Sequence, residues 1–181
     1  DVFIEIAEDC GQIGVLGQSI LRQAIAAALD WDSRYTISFN ISPLQFQDPR
    51  LVHQIEEALE SSGFDPRRLI VEVTENSVIH DFSVARAKLK DLKKLGVAVA
   101  LDDFGTGYSS LSYLKRLPVN VLKIDQSFVR DVITDQDDAA LTKAIIAISH
   151  NLSLEVVAEG VEEQAQLDFV RDHGCDYVQG Y

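Results

Sequence analysis

Segments patterned as strands alternate with segments patterned as helices along the whole chain, and this alternation restricts the fold more than any other feature. The strand pattern falls on residues 36–42, 69–74, 97–101, 119–124, 154–158 and 177–181. The helix pattern falls on 14–29, 48–63, 84–95, 109–117, 138–151 and 162–173, with Asp48 predicted as the N-cap of the second helix. Strands that alternate with helices are joined by right-handed crossovers, so the sequence predicts a parallel sheet.

Two architectures contain such a sheet: an open doubly wound sheet and a closed barrel. A doubly wound sheet binds ligands near one switch point, whereas a barrel collects side chains from the ends of several strands. Polar residues stand at the end of almost every predicted strand, which favours the barrel: Asn40, Glu72, Asp102 with Asp103, Lys123, Glu159 and Gln179. Barrels of this kind typically need about 200–250 residues. We therefore predict a TIM-like (β/α)8 barrel that is truncated at both ends in this 181-residue chain.

Composition limits the class of protein. The chain is 46% hydrophobic and 25% charged, which predicts one globular domain over residues 1–181. A formal charge of -13 argues against nonspecific nucleic-acid binding, because phosphates would be repelled. The sequence contains no apolar run long enough to predict a membrane-spanning helix. Cys10 and Cys175 lack zinc-like spacing and are predicted to be core residues in a reducing compartment, which indicates a cytoplasmic domain. A start at Asp1 and the absence of methionine predict a piece of a longer polypeptide, compatible with a membrane anchor elsewhere in it.

The alternation of side chains along each strand predicts that the polar strand-end residues converge. In the first strand Ser38 and Asn40 share one face and Ile37 and Phe39 the other, and in the fourth strand Lys123 lies opposite its apolar neighbours. We expect the bulky faces to pack against helices and the polar faces to meet at the barrel mouth. Adjacent Asp102 and Asp103 are expected to point to opposite faces unless the strand has ended.

The donor atoms of this set predict a divalent-metal site. Carboxylate and amide oxygens without His or Cys select hard ions such as Mg²⁺ or Mn²⁺. Two such ions about 3.5–4 Å apart form the clamp used for in-line attack on a phosphodiester. Lys123 is then predicted to orient or deprotonate the attacking water. Taken singly, Asp102-Asp103 is equally compatible with an acidic turn, and Lys123 with a surface lysine; only their joint placement favours a site.

Six short motifs follow the predicted strands: FNISP (39–43), EVTE (72–75), DDFGTGYSSL (102–111), LKID (122–125), AEGVE (158–162) and QGY (179–181). In order and spacing they resemble those of the EAL-domain family of cyclic di-GMP phosphodiesterases. The opening FIEIAE (3–8) is similar to the first-helix region of that family. The resemblance covers essentially the whole chain.

The resemblance implies a modified (β/α)8 barrel with an antiparallel first strand, and metal-assisted hydrolysis of one phosphodiester of cyclic di-GMP to linear pGpG. It implies that the metal ligands are Asn40, Glu72, Asp102 and Glu159, with Asp103 as a second-metal or water ligand. It places Lys123 on the catalytic water, Gln179 near it and Glu162 as an accessory glutamate. Glu75 is implied to anchor the loop 103–108, which also contributes to a homodimer interface.

One departure concerns the strand that carries the Glu-Ala-Leu signature of the family. It is expected before Asp1, so this domain is predicted to lack it together with the C-terminal closing elements. A literal Glu57-Ala58-Leu59 lies inside a predicted amphipathic helix and is rejected as the signature. Three functions stay open: an active cyclic di-GMP phosphodiesterase, a catalytically inactive cyclic di-GMP receptor, and another metal-dependent barrel hydrolase.

Overall fold

The computed structural model describes residues 2–79, 81–106 and 111–180. The chain divides into two compact units, Asp1–Val99 and Ala100–Tyr181. Within the described ranges, no helix is both long enough and apolar enough to cross a membrane.

The first unit consists of two parallel strands and the helices that follow and precede them. The helices are α1 (Val2–Asp9), α2 (Ile13–Ala28), α3 (Pro43–Gln47), α4 (Leu51–Ser62), α5 (Glu75–Ile79) and α6 (Phe82–Lys94), with a 3₁₀ turn at Pro66–Arg68. The strands are β1 (Ile37–Ile41) and β2 (Leu69–Thr74), which pair in parallel so that Asn40 lies opposite Glu72.

The core of the first unit follows the predicted alternation of faces. In β1 the side chains of Ile37, Phe39 and Ile41 are buried, while Ser38 and Asn40 are exposed. Helices α2 and α4 bury apolar residues at helical spacing, and the two helices pack on each other. Each large aliphatic side chain buried in this way contributes about 1.5–3 kcal/mol to folding. The alternation leaves the end of β1 free to present Asn40 on the polar face.

The second unit contains the remaining strands in chain order. Strand β3 (Ala98–Phe104) begins in the first unit and is followed by α7 (Leu111–Leu114), β4 (Val121–Ile124), α8 (Gln126–Arg130), α9 (Gln136–Asn151), β5 (Glu155–Glu159), α10 (Gln164–Asp172) and β6 (Tyr177–Gln179). Strands β3, β4, β5 and β6 are neighbours in that order, and each pairs in parallel with the next. Their order does not reverse, as in a barrel and unlike a doubly wound sheet.

The apolar faces of β4 and β5 are fully covered. Leu122 and Ile124 of β4 are buried, as are Val156 and Ala158 of β5. Because side chains alternate along a strand, this burial turns Lys123 and Glu159 to the opposite face. The predicted division into a packed face and a polar face is therefore confirmed for these strands.

All six predicted strands are present among the described residues, and several predictions at their margins are wrong. Strand β3 continues to Phe104, three residues beyond its predicted end. Helices α3, α5 and α8 were not predicted, because a helix of five residues is too short to show a hydrophobic period. Asp48 does not cap α4: its carboxylate accepts the backbone N–H of Arg50 at 2.9 Å in a turn, and Arg50 is the N-cap.

Two other sequence interpretations are tested by burial. Cys10 is exposed, so its prediction as a core residue is wrong, whereas Cys175 is half-buried. The literal Glu57-Ala58-Leu59 lies within α4, where Ala58 and Leu59 are core residues and exposed Glu57 pairs with Arg22 at 3.5 Å. Its rejection as a functional motif agrees with this packing.

Asp176 gives the second unit a contribution to stability that depends on pH. Burial acts to raise the pKa of Asp176, but hydrogen bonds from His150 (2.9 Å) and from the N–H of Val156 (2.8 Å) outweigh it, and the pKa is lowered. A lowered carboxyl pKa contributes stability above the unfolded value of about 3.9 that is lost as pH falls through the folded value.

We therefore expect Asp176→Asn to lower the free energy of unfolding at pH 7 by about 1 kcal/mol or less, since the side chain is 36% exposed. The difference from the wild type should shrink as the pH is lowered below about 4. Urea titrations at several pH values measure it, with Asp172→Asn at an exposed helix position as the control. A difference that stays constant down to pH 2.5 would contradict the assignment.

Candidate functional site

A bulge at the end of β3 brings two consecutive carboxylates to one place. The pairing of β3 with β4 shifts between Leu101 and Phe104, where three steps along β3 match two along β4. Asp103 takes up the extra step with a φ of 55°, in the left-handed region that Asp tolerates better than most residues. The strict alternation of faces is broken there, so Asp102 and Asp103 contribute to the same cluster although the strand has not ended.

Hydrogen bonds hold the bulge in this conformation. The N–H of Asp103 donates to Oδ1 of Asp102 at 3.1 Å. The hydroxyl of Thr106 donates to the carbonyl oxygen of Asp103 at 2.9 Å. The following turn therefore fixes the backbone that carries both carboxylates.

Lys123 lies at the centre of the polar face of the second unit. Its side chain extends from β4 and is only 6% exposed, so the surface-lysine interpretation is wrong. Its Nζ lies 3.0 Å from Oδ1 of Asp102 and 2.7 Å from Oε1 of Glu159. The ammonium group thus links the ends of β3 and β5, and removing it would leave two poorly hydrated carboxylates facing each other.

The carboxylates around Lys123 fit a divalent cation. Asp102, Asp103 and Glu159 each offer an oxygen, and these oxygens lie within 4.8 Å of one another. Three carboxylates and one ammonium leave two formal negative charges, which a hard divalent ion can neutralise. An all-oxygen donor set of this kind suits hard ions such as Mg²⁺, Mn²⁺ and Ca²⁺, whereas softer metals prefer sulfur or nitrogen ligands.

A polar cavity of about 310 Å³ opens beside this cluster. Eight residues line it: Asp103, Asp125, Gln126, Glu159, Gly160, Glu162, Gln179 and Gly180. The structure therefore brings Gln179 and Glu162 to the same cavity as Asp103 and Glu159, as expected. Sequence reasoning did not single out Gln126, whose proximity arises from the unpredicted helix α8.

Two glycines in the cavity wall allow close backbone approach. A Cβ on Gly160 would lie 2.6 Å from Cβ of Gln126, and one on Gly180 would collide with the carbonyl of Val161. The N–H of Val161 donates to the carbonyl oxygen of Gln179 at 3.2 Å. The loop after β5 is therefore packed tightly between α8 and β6.

The first unit holds the other predicted site residues. Asn40 and Glu72 are paired in register at the ends of β1 and β2, with Glu72 only 6% exposed. Glu75 follows β2 directly and is buried at the start of α5. In the loop 103–108, Gly107 and Tyr108 lie outside the described residues, and the dimer contact through that loop stays a prediction.

Comparison with protein families gives a match over the whole chain. The model of the EAL domain matches residues 1–181. The curated protein MucR of Pseudomonas aeruginosa, a bifunctional diguanylate cyclase/cyclic di-GMP phosphodiesterase, is 41% identical over 183 residues, which are 99% of this chain and 27% of MucR. The cyclic di-GMP phosphodiesterase NbdA of the same organism is 40% identical over 185 residues, 100% of this chain and 24% of NbdA. This chain spans about a quarter of the length of such relatives.

Solved structures confirm the predicted TIM-like (β/α)8 fold. The MucR phosphodiesterase in complex with cyclic di-GMP matches with a TM-score of 0.92 at 41% identity, covering 98% of this chain and 74% of that one. BlrP1 of Klebsiella pneumoniae, in a complex with manganese and cyclic di-GMP, matches with a TM-score of 0.88 at 28% identity, covering 98% and 46%. The strand order described above is therefore that of a known architecture.

Proposed function

This chain belongs to the EAL domain family, and from that membership we propose that it hydrolyses one phosphodiester bond of cyclic di-GMP to give linear pGpG. The observation that carries the proposal is the buried Lys123 between Asp102 and Glu159, with Asp103 in the same cluster. The cluster combines three carboxylate oxygens that can share a divalent cation with a buried ammonium group, and metal-assisted hydrolysis of a phosphodiester uses groups of both kinds. Relatives named as cyclic di-GMP phosphodiesterases support the choice of substrate.

We propose that Mg²⁺ or Mn²⁺ is the cofactor. Asp102, Asp103 and Glu159 would hold it from the second unit, because their oxygens already lie close enough to share a cation. Asn40 and Glu72 are proposed as further ligands, on the resemblance of their motifs to those of the family. A bound divalent ion would supply Lewis-acid polarisation of the phosphate and acidify a bound water.

Lys123 is proposed to position the attacking water. Its ammonium group is fixed by carboxylates on two different strands, so it presents an N–H donor in a defined direction. Hydrolysis joins the water oxygen to phosphorus and breaks the bond from phosphorus to the 3′ oxygen, which takes up a proton. Fixed positive charge beside the phosphate stabilises the negative charge that develops in this step.

Gln179 and Glu162 are proposed to act from the cavity wall. Both line the cavity together with Asp103 and Glu159, and Gln179 carries an amide that donates and accepts hydrogen bonds. Glu75 is proposed to anchor the loop 103–108, on the resemblance of its motif to that of the family.

The test is to incubate the full-length parent protein with cyclic di-GMP and Mg²⁺ or Mn²⁺, with and without a chelator, and to separate the products by chromatography. We expect pGpG to form with metal, to disappear on chelation, and to return when metal is added in excess. Binding of cyclic di-GMP without any metal-dependent pGpG would refute the enzyme and identify a receptor instead. Hydrolysis of unrelated phosphodiesters with cyclic di-GMP left intact would point to another barrel hydrolase.

A further inference from the structure

Gln166 is a buried polar residue that the proposed chemistry does not use. It belongs to the first turn of α10 and is only 5% exposed. Its Oε1 accepts the backbone N–H groups of Glu162 and Glu163, both at 2.9 Å. Its Nε2 donates to the carbonyl oxygen of Arg130 at 3.0 Å. One side-chain amide therefore connects the loop after β5 with the last residue of α8.

This connection completes the attachment of the loop 160–163. At one end, Gly160 packs against Gln126 so closely that a Cβ there would lie 2.6 Å from the Gln126 Cβ. Next to it, the N–H of Val161 bonds to the carbonyl of Gln179 on β6. Gln166 fixes the other end of the loop, and α8 is thereby held at both its first and its last residue.

The attached elements carry the residues of the site. The loop begins directly after Glu159 and contains Glu162. Helix α8 begins at Gln126, three residues after Lys123, with Asp125 as its N-cap. A shift of the loop relative to α8 would move the Glu159 carboxylate with respect to the Lys123 ammonium, which lies 2.7 Å away. Misplacement of reacting groups by about 1 Å can cost up to 10²-fold in rate.

We propose that Gln166 is a positioning residue, which holds Glu159 and Glu162 in place against Lys123 by tying the loop after β5 to α8. The proposal rests on the proposed hydrolase function for its kinetic consequences. The competing explanation is a purely local role, since Glu163 and Gln166 also form a capping box at the start of α10.

The substitution Gln166→Glu separates the two explanations. A glutamate at the third helical position satisfies a capping box as well as glutamine does, so Gln166→Glu keeps both bonds to the loop N–H groups. A carboxylate has no N–H, and it therefore loses the donor to the Arg130 carbonyl. Gln166→Leu removes all three bonds. Gln164, which is exposed on the same helix and bonds only to the Asp168 side chain among the bonds described, provides matched controls in Gln164→Glu and Gln164→Leu.

The experiment measures kcat and KM for cyclic di-GMP, the affinity for Mn²⁺ by calorimetry, and the melting temperature of the metal-free protein. For Gln166→Glu we expect kcat to fall by about 10-fold, KM to change by less than about 3-fold, and Mn²⁺ affinity to weaken by about 10-fold, as for loss of other supporting residues. The melting temperature should fall by a few degrees, because the cap is kept but the Arg130 carbonyl loses its donor. Both Gln164 variants should behave as the wild type does.

Two results would overturn the proposal. If Gln166→Glu kept the kcat and the Mn²⁺ affinity of the wild type, Gln166 would act only as a helix cap. Tighter Mn²⁺ binding in that variant would show the effect of an added negative charge rather than of a lost contact. If the wild type forms no pGpG, the proposed function fails, yet the order of Mn²⁺ affinities still decides whether Gln166 positions Glu159. Gln166→Glu keeps the test valid if Gln166→Leu does not fold.

Discussion

Replacement of Lys123 by alanine is expected to reduce the turnover of cyclic di-GMP by roughly 10²–10⁴-fold, the range for loss of a group that handles the reacting water. The ammonium group is held at 3.0 Å from Asp102 and 2.7 Å from Glu159, so its removal takes away the positive charge that is fixed between these two carboxylates. The cluster then carries one more uncompensated negative charge. We therefore expect Mn²⁺ to bind Lys123→Ala at least as tightly as it binds the wild type, while turnover collapses.

The same substitution has a distinct effect on stability. Removing one partner of a buried ion pair typically costs about 3–5 kcal/mol, because the remaining charge is poorly solvated. A divalent cation can neutralise the remaining carboxylates, so the stability loss of Lys123→Ala should shrink when Mn²⁺ is added. Thermal unfolding with and without Mn²⁺ measures this, beside single-turnover kinetics. Near-normal turnover in folded Lys123→Ala would remove the residue from the mechanism.

Lys88 offers a matched control for the loss of a buried lysine. It is 8% exposed, and its ammonium group donates to the carbonyl oxygens of Phe46 and of Asp48, the latter at 2.9 Å. Burial lowers the pKa of Lys88. Lys88→Met should lower stability while each folded molecule keeps turnover within a few-fold of the wild type. The contrast with Lys123 would then reflect chemistry and not burial alone.

Much of the second unit could be predicted because its determinants are local. Alternating apolar residues around Lys123 specify which side of β4 is packed, and the polar residues at the ends of β3 and β5 follow from the same period. The parallel direction of the strands follows from the strand–helix alternation, and the polar residues at almost every strand end favour the barrel order. These features depend on few residues at short range, so the sequence pattern is sufficient to indicate them.

The unpredicted parts depend on contacts that are distant in sequence. Gln126 reaches the cavity because Gly160, 34 positions later, lets its backbone approach the first turn of α8. Gln166 looks like an ordinary capping residue until the Arg130 carbonyl is found beside it. Asp48 is the local exception: it resembles an N-cap in sequence, but its carboxylate accepts the N–H of Arg50 in a turn and α4 begins later. Periodicity carries no information about such pairings.

The sequence pattern did not specify the bulge at Asp103. Substitution of this residue is expected to have a large effect on Mn²⁺ affinity and turnover. A non-glycine residue in the left-handed region costs about 1–2 kcal/mol, a cost that proteins retain at functional sites when the conformation is needed. Here the conformation places two consecutive carboxylates in one cluster with Glu159. Asp103 therefore links the backbone strain to the proposed metal site.

Asp103→Asn and Asp103→Gly are expected to separate strain from chemistry. Asparagine tolerates the left-handed region, so Asp103→Asn should fold with nearly wild-type stability, and glycine should relieve strain and raise stability slightly. Both variants lose a carboxylate from the cluster, and we expect Mn²⁺ affinity and turnover to fall by at least about 10²-fold, the upper end of what loss of a supporting residue costs. Calorimetric Mn²⁺ titration and product formation measure the two effects.

Ser153 is the matched control for this argument, because it is the other non-glycine residue with a positive φ (60°) among those described, and it precedes β5 at the opposite end from the cluster. Ser153→Gly should raise the free energy of unfolding by less than about 1 kcal/mol, since strain relief is partly offset by the entropy of glycine. Its turnover should be unchanged. If Asp103→Asn bound Mn²⁺ and turned over cyclic di-GMP as the wild type does, the bulge would be a structural feature alone. If it loses both while Ser153→Gly loses neither, the strained backbone at Asp103 is retained for the carboxylate that it places beside Asp102 and Glu159.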